Sequence, residues 1–249
     1  MRISKEHYAT MLKQIELDCN VKEGHWIKDD IIIAPSKVLP GSRVIDKLSP
    51  FFRVIVYMGK AYVMADEDTI PGWEEILKDY PAEWFFNYGR LRKIDRILNE
   101  FDMEIIDTHI YYLPDADAEE IKIDEGLKWF TQEEIDSYKE GNEFKHALCY
   151  SPTQPDVYAV AMPDGKGGYK GMSGASLDGE YVRQIGIDIK EEYQGEGLAT
   201  KLVKSLKQRI LEDGYLPFYG TSESHALSRS VGVKSGFLPA FSELFVGKR

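Results

Sequence analysis

The segment IKEEYQGEGLATKLV, residues 189–203, changes character in its middle. The residues that lead into it, Val182–Ile189, alternate strictly between apolar isoleucines on one face and Gln184, Gly186 and Asp188 on the other. Such alternation is typical of a half-buried strand. After the glycines an apolar stripe with helical spacing runs to a capping Gly214. The segment therefore predicts a strand, a tight loop and an amphipathic helix in direct succession.

The loop has the features of an anion-binding site. Gly195 and Gly197 let backbone N–H groups crowd an anion at the start of a helix, where unpaired N–H groups and a partial positive charge are found. A dinucleotide site would need a third glycine where Thr200 stands, and a nucleoside triphosphate site would need a Lys-Ser or Lys-Thr pair. Two interpretations of the loop remain. It binds another diphosphate carrier, or it is a tight turn without a ligand. The neighbouring glutamates 191, 192 and 196 are expected to point away from it.

Gly186 interrupts the polar face of the preceding strand. A glycine inside a strand lets a ligand or another stretch of backbone approach closely. The sequence alone does not decide between these two occupants.

Composition limits the function classes. The chain has 249 residues, 43% of them hydrophobic, and 31 basic against 42 acidic residues for a net charge of -11. This balance argues against a nucleic-acid surface and suits a cationic small molecule. No apolar stretch reaches bilayer-spanning length and the start lacks a signal peptide, so we expect a cytoplasmic protein without a membrane partner. Cys19 and Cys149 form no CxxC motif, and we expect two buried thiols and no metal site.

An acidic, turn-rich stretch, Leu113–Gly126, separates two halves of different texture. We therefore predict an N-terminal α/β domain over residues 1–125 and a second domain over residues 126–249. In the first domain the patterns predict helices near residues 5–18, 73–78 and 91–101, and strands near residues 31–34, 53–58, 61–65 and 103–112.

The second domain gives sharper signals. Thr131 and Glu134 form a capping-box pattern that predicts a helix over residues 131–139. Strands are predicted over residues 156–162 and 169–177, and the PDGKGG sequence between them is interpreted as a hairpin turn.

The order of these elements resembles a known superfamily. A strand, the pattern Gln194-x-x-Gly197-x-Ala199, an amphipathic helix, a strand at residues 217–221, a helix at residues 224–235 and the tripeptide SGF follow one another. This order is similar to that of the GCN5-related N-acetyltransferase (GNAT) superfamily. The segments GMSGAS at Gly171, QIGID at Gln184 and FYGTSES at Phe218 resemble the bacterial branch that includes zwittermicin A resistance acetyltransferases. The resemblance covers residues 147–240.

The resemblance implies a fold and a cosubstrate. The expected fold is α+β, with a GNAT-type mixed, mostly antiparallel sheet flanked by helices, and an additional N-terminal α/β domain. The sheet is expected to splay at Ile185–Ile189 and to admit acetyl coenzyme A (acetyl-CoA). The cofactor-binding residues that it implies are Ile187, Asp188, Ile189, Gln194, Gly195, Glu196, Gly197, Leu198, Ala199, Thr200, His225 and Ser228. The thioester is expected against the face of Gln184, Gly186 and Asp188 or at its edge.

The catalytic groups depart from the pattern of the family. Gly232 stands where many members carry the tyrosine that protonates the departing thiolate, and His225 stands where the branch shows asparagine. Asp188, His225 and Ser228 are the candidates. Asp188 can take the ammonium proton or act as a structural acceptor, and Ser228 can reach the thioester sulfur or only cap or pack. His225 can bind the pantetheine arm, carry a proton, or be an exposed histidine without a role.

The function predicted from these residues is acetyl transfer from acetyl-CoA to a primary amine of a small, cationic molecule by direct attack, without a metal or a covalent enzyme intermediate. The N-terminal domain is expected to cover the acceptor. Two alternatives stay open. One is a coenzyme A-binding or regulatory module without turnover, and the other is a protein N-acetyltransferase.

Overall fold

The computed structural model describes residues 2–44, 50–119 and 121–249. The helices are α1 (Lys5–Asp18), α2 (Ile70–Leu77), α3 (Tyr88–Leu98), α4 (Gln132–Tyr138), α5 (Leu198–Glu212) and α6 (Ala226–Lys234). The strands are β1 (His25–Lys28), β2 (Ile31–Pro35), β3 (Phe52–Tyr57), β4 (Lys60–Ala65), β5 (Met103–Pro114), β6 (Lys128–Trp129), β7 (Asp156–Pro163), β8 (Tyr169–Leu177), β9 (Val182–Ile189), β10 (Leu216–Ser222) and β11 (Phe237–Lys248). In the described ranges, no helix is long and apolar enough to cross a bilayer.

The chain forms two compact units. Unit 1 comprises Met1–Met11 and Tyr112–Pro239, and unit 2 comprises Leu12–Tyr111 and Ala240–Arg249. This division does not coincide with the predicted boundary after residue 125, because β11 returns from the end of the sequence to pair with β3, with Phe241 opposite Tyr57. Each unit therefore contains residues from both predicted domains.

Unit 1 carries the strands that the resemblance concerns. Their hydrogen-bonded order is β10-β9-β8-β7-β6, and only the β9 and β10 pair is parallel among these neighbours. The apolar stripe of α5 packs on this sheet through its buried residues Leu202, Val203, Leu206 and Ile210. A second cluster, around Phe144 and Met172, fills the space under α4.

Unit 2 is built on the strand order β1-β2-β4-β3-β11. β2 and β4 are parallel, whereas β1 with β2, β3 with β4 and β3 with β11 are antiparallel. Its core joins α2 and α3 to the strands, and the rings of Trp73 and Phe52 are in tilted contact at a centroid distance of 4.2 Å. The predicted α+β class, with a mostly antiparallel sheet and flanking helices, is confirmed.

Candidate functional site

The loop before α5 is open at its glycines. Gly195 and Gly197 have φ angles of 84° and 77°, a region that favours glycine. Gly197 is the N-cap of α5, and no side chain caps the helix there. A Cβ atom added at either glycine would meet no atom within 4 Å. The first-turn N–H groups of α5, which lack intrahelical acceptors, therefore begin at an unobstructed surface.

The side chains around the loop leave that surface to the backbone. The three glutamates at 191, 192 and 196 are exposed. Lys201, in the first turn of α5, forms an ion pair with Asp124. Gln194 Nε2 donates to the carbonyl of Ile189 over 3.4 Å and so closes the loop on the end of β9. The partial positive charge at the start of α5 thus comes from its backbone dipole rather than from free basic side chains.

β9 and β10 separate next to this loop. Their parallel register begins at Val182 opposite Leu216 and ends at Ile185 opposite Tyr219. β9 nevertheless continues to Ile189 and β10 continues to Ser222. Over the described residues, no register pair joins the last four residues of β9 to β10, whereas β8 still pairs with β9 as far as Ile189. The sheet is therefore open at residues 186–189, inside the range predicted to splay.

Asp188 accepts three hydrogen bonds from one turn of chain. The backbone N–H groups of His146 and Ala147 donate to Oδ2 over 2.6 and 3.1 Å, and His146 Nδ1 lies 2.7 Å from Oδ1. Because a carboxylate only accepts, the Nδ1 hydrogen of His146 is the one in this bond. A neutral imidazole held in this way keeps Nε2 free as a proton acceptor, and the ring is 86% exposed.

The sequence patterns did not single out His146. It stands in the segment FKHALC, which contains no motif, and its partner Asp188 is 42 residues away. Of the two partners in this contact, only Asp188 could be recognised from the sequence, and it is one of the predicted candidates.

Gly186 is covered by backbone. A Cβ atom at this position would lie 1.9 Å from the carbonyl oxygen of His146, and a Cβ atom at Gly174 would lie 2.1 Å from that of Ala147. Of the two occupants that the sequence left open at Gly186, the structure shows another stretch of backbone. That backbone covers the polar face of β9 at Gly186 and leaves the edge of the strand uncovered by β10.

A cavity of about 90 Å³ lies beside this crossing. Asp156 and Asp178 are both almost fully buried in its wall. The polar lining also includes His146, Ser151, Gln154, Ser176 and Gln184. The N–H groups of Cys149 and Tyr150 donate to Asp156 over 3.4 and 2.7 Å. Burial raises the pKa of Asp156 even so.

The expectation that both cysteines are buried was wrong for Cys149. Cys19 is buried as expected, but Cys149 is exposed. Its Sγ atom lies 3.4 Å from the carbonyl oxygen of Lys145. Partial burial, and then the carboxylates of Asp156, Asp178 and Asp188, raise the pKa of the Cys149 thiol. The thiol form is therefore favoured, which makes this cysteine a poor nucleophile.

The two candidates on α6 have different surroundings. His225 is exposed at the N-cap of α6 and makes no capping bond with its side chain. Ser228 shares a hydrogen bond of 2.8 Å with the hydroxyl of Tyr219, and burial raises the pKa of that tyrosine although Ser228 lowers it. The ring of Tyr219 lies against Gly232, where a Cβ atom would be 3.2 Å from Cδ1.

Metal ligands do not gather at this site. Across the residues that the structure describes, no group of three or more histidine, cysteine, aspartate or glutamate side chains has an arrangement that could hold a metal ion.

Comparison with known proteins finds likenesses among solved structures alone. No protein-family model and no curated protein matches the sequence. A GCN5-related N-acetyltransferase-like protein from Streptococcus suis is 16% identical, with 98% of this chain and 99% of that chain covered at a TM-score of 0.47. A tandem GNAT protein from the clavulanic acid biosynthesis pathway is 11% identical, with 98% and 95% covered at a TM-score of 0.47.

A third likeness is to a GNAT-family protein from Novosphingobium aromaticivorans, which is 15% identical, with 59% of this chain and 68% of that chain covered at a TM-score of 0.44. Likenesses as distant as these three carry no argument about what the chain does. The geometry of its own loop, strands and side chains carries the argument instead.

Proposed function

We propose that the protein is an acetyl-CoA-dependent N-acetyltransferase that acetylates a primary amine of a small, cationic molecule. The observation that carries the proposal is the opening between β9 and β10 directly beside the uncapped, glycine-lined start of α5. An open strand edge next to a backbone anion site suits a long cosubstrate with an extended arm and a diphosphate.

The loop and the strand edge bind different parts of the cosubstrate. The N–H groups of residues 195–200 bind the diphosphate, because the αL glycines begin the helix at an open surface and the dipole of α5 favours negative charge. The N–H of Gln194, which was expected to bind there as well, already donates to the carbonyl of Glu191 over 3.2 Å. The free edge of Ile187–Ile189 pairs with the pantetheine arm as an added strand would. His225 and Ser228, at the start of α6, are proposed to contact the same arm.

Acetyl transfer then needs an unprotonated amine. The amine nitrogen attacks the thioester carbonyl, the new N–C bond forms and the C–S bond breaks. The second proton of the nitrogen passes to the departing thiolate, so that the amide and the thiol of coenzyme A are the products. Positioning the two reactants supplies much of the rate, and a base accepts the proton of the ammonium group before attack.

His146 is the base in this proposal, and Asp188 positions it. The hydrogen bond from Nδ1 to Asp188 fixes the ring and leaves Nε2 as the acceptor. Asp188 is less suited to take the proton itself, because it already accepts from two backbone N–H groups. His225 and Ser228 remain the alternative proton carriers from α6.

The acidic cavity supports a cationic acceptor. Asp156 and Asp178 place negative charge in its wall, and His146 belongs to the same lining. An ammonium group seated there is attracted by both carboxylates. The resemblance to the zwittermicin A resistance branch favours an aminopolyol among such amines.

Titration calorimetry with acetyl-CoA tests the binding half of the proposal. We expect micromolar affinity for the wild-type chain and at least a hundredfold loss in Gly197→Asp, because the new carboxylate meets the diphosphate. Gly165→Asp is the matched control, since Gly165 has nearly the same φ, 76°, equal open space and a place in the hairpin between β7 and β8. Equal losses in both variants, or no binding by the wild type, would contradict the proposal.

The turnover of two variants tests the base. In His146→Gln kcat should fall about a hundredfold with acetyl-CoA affinity retained, because the variant lacks the proton acceptor. His225→Gln should retain the wild-type kcat. A loss of kcat in the His225 variant alone would move the proton-accepting role to α6. Acetyl-CoA binding without release of coenzyme A, over a screen of small amines, would favour the binding module instead.

A further inference from the structure

Unit 2 contains a cavity that the proposed acetyl transfer does not use. Its volume is about 660 Å³, within the range of about 300–1,000 Å³ that is typical of small-molecule pockets. The walls are mostly apolar and include Phe52, Met64, Met103 and Leu244. Ile106 and Val38, at 59% and 40% exposure, carry the apolar lining out to solvent. An apolar group that enters the cavity therefore exchanges contact with water for contact with apolar side chains.

Two buried arginines form the polar end of the cavity. Arg43 Nε donates to Asp18 Oδ2 over 2.5 Å, and Arg53 Nε donates to Glu243 Oε1 over 2.6 Å. Burial opposes the charge on Arg43, but Asp18 and Glu243 raise the pKa of its guanidinium. Both guanidinium groups therefore remain cationic inside the unit.

The lining presents more positive than negative groups. Lys37, Arg43, Arg53 and Lys248 line the cavity, and Asp18 is the acidic residue among the described lining residues. Asp18 and Glu243 offset the charges of the two arginines, and Lys37 Nζ donates to Glu23 Oε1 over 2.9 Å. Of the lining cations, Lys248 makes no ion pair within the described part of the chain. Arg53 Nη2 is buried and contacts Glu243 as an ion pair, yet over the described chain it makes no hydrogen bond of normal geometry.

The charge of the cavity lining is therefore opposite in sign to the net charge of the chain as a whole, which is -11. The carboxylate of Asp18 is already engaged by Gln14 Nε2 and by the backbone N–H of Arg43. What the cavity offers to a ligand is therefore the ammonium group of Lys248 together with apolar side chains along the walls.

We propose that this cavity binds a small amphipathic carboxylate. The carboxylate lies at Lys248, and the hydrocarbon body lies along Val38, Met103 and Ile106. The lysine stabilises the anion through charge-assisted hydrogen bonds, and burial of the body supplies the rest of the affinity. The site lies within unit 2 and is independent of acetyl-CoA binding in unit 1.

Calorimetric titration of the full chain with decanoate tests the site. Decyltrimethylammonium, which has the same chain length and the opposite charge, is the comparison probe. We expect decanoate to bind at least tenfold more tightly than the cation. Equal affinities, or no decanoate binding, would overturn the proposal.

Two substitutions locate the binding. Lys248→Glu should weaken decanoate binding about tenfold, whereas Lys93→Glu, an equal charge change at an exposed residue of α3, should leave it within twofold. Ile106→Trp should block the apolar mouth and weaken binding about tenfold as well. Acetyl-CoA affinity, measured on the same samples, should stay at its wild-type value. Equal effects of the two lysine variants, or full affinity in Ile106→Trp, would show that decanoate binds elsewhere.

Discussion

At Gly186 the missing side chain is a packing requirement. The carbonyl oxygen of His146 occupies the place where a Cβ atom would stand, and Gly174 on the neighbouring strand accommodates Ala147 in the same way. The crossing turn is fastened by Asp188, which accepts the N–H groups of both residues. Two glycines and one carboxylate therefore hold His146 over β9.

Substitution of Gly186 measures how much this close packing matters for the stability of the protein. Gly186→Ala should lower the free energy of unfolding by about 3 kcal/mol, because the backbone of residue 146 must move away from the sheet. Gly141→Ala is the control, since a Cβ atom there meets nothing within 4 Å. Urea unfolding of both variants checks the prediction. A Gly186→Ala variant as stable as Gly141→Ala would show that the turn moves freely.

Lys207 makes the stability of the protein depend on pH. Burial, and then Lys204, lower the pKa of its ammonium group from 10.5 to about 8. The unfolded chain therefore binds more protons than the folded chain between pH 8 and 10.5, and this lysine makes stability rise with pH across that window. Below pH 8 its destabilising effect is complete and constant.

Lys207→Met should therefore be more stable than the wild type at pH 7, and it should lose this part of the rise between pH 8 and 10.5. Lys234→Met, an exposed lysine of α6, should keep the slope of the wild type. Urea unfolding at pH 7, 8, 9 and 10 gives the comparison. Parallel curves for Lys207→Met and the wild type would contradict the assignment.

At the scale of elements, a hydrogen bond between side chains joins β10 to α6. The hydroxyl groups of Tyr219 and Ser228 lie 2.8 Å apart, and Tyr219 is 2% exposed. The strand supplies the ring that packs on Gly232 of the helix. A side chain at 232 would compete with this ring for space, which gives a packing reason for the glycine.

A double-mutant cycle measures this bond. Tyr219→Phe and Ser228→Ala should each cost about 1 kcal/mol of unfolding free energy, and the double variant should cost less than their sum. Ser224→Ala, at an exposed position before α6, should change stability by less than about 0.5 kcal/mol. Additive losses would mean that the two hydroxyl groups do not interact in solution.

Elements with strong periodicity were predicted within a few residues, as α1, α5, β8 and β9 show. β11 was not predicted, because its sequence FLPAFSELFVGK contains a proline near its start and no strict alternation. The short β1 and β6 give too few residues for any pattern. At the site, the loop glycines could be recognised from the local sequence pattern alone. The contact of His146 with Asp188 was not, since it depends on how distant segments cross.

At the scale of the whole molecule, unit 2 depends on charges from distant parts of the chain. Glu243 of β11 pairs with Arg53 of β3, 190 residues away in sequence, and with Arg43. All of these groups are nearly or fully buried. A buried charge that loses its partner is strongly destabilising.

Glu243→Gln should therefore lower the unfolding free energy of unit 2 by about 3–5 kcal/mol. Glu100→Gln removes the same charge from an exposed position and should have little effect. Tryptophan fluorescence during urea unfolding is the readout, because Trp73 lies in the core of unit 2. A loss below about 1 kcal/mol would show that the arginines find other acceptors.

The return of β11 to unit 2 also sets an order for biosynthesis. A ribosome releases residues 112–239, the main part of unit 1, before residues 240–249, which contain Glu243. Residues 12–111 of unit 2 are therefore made while the unit still lacks a strand and the buried carboxylate of Glu243. During that interval the partner arginines stay hydrated, and the incomplete sheet edge of the growing chain is the surface that chaperones would have to protect.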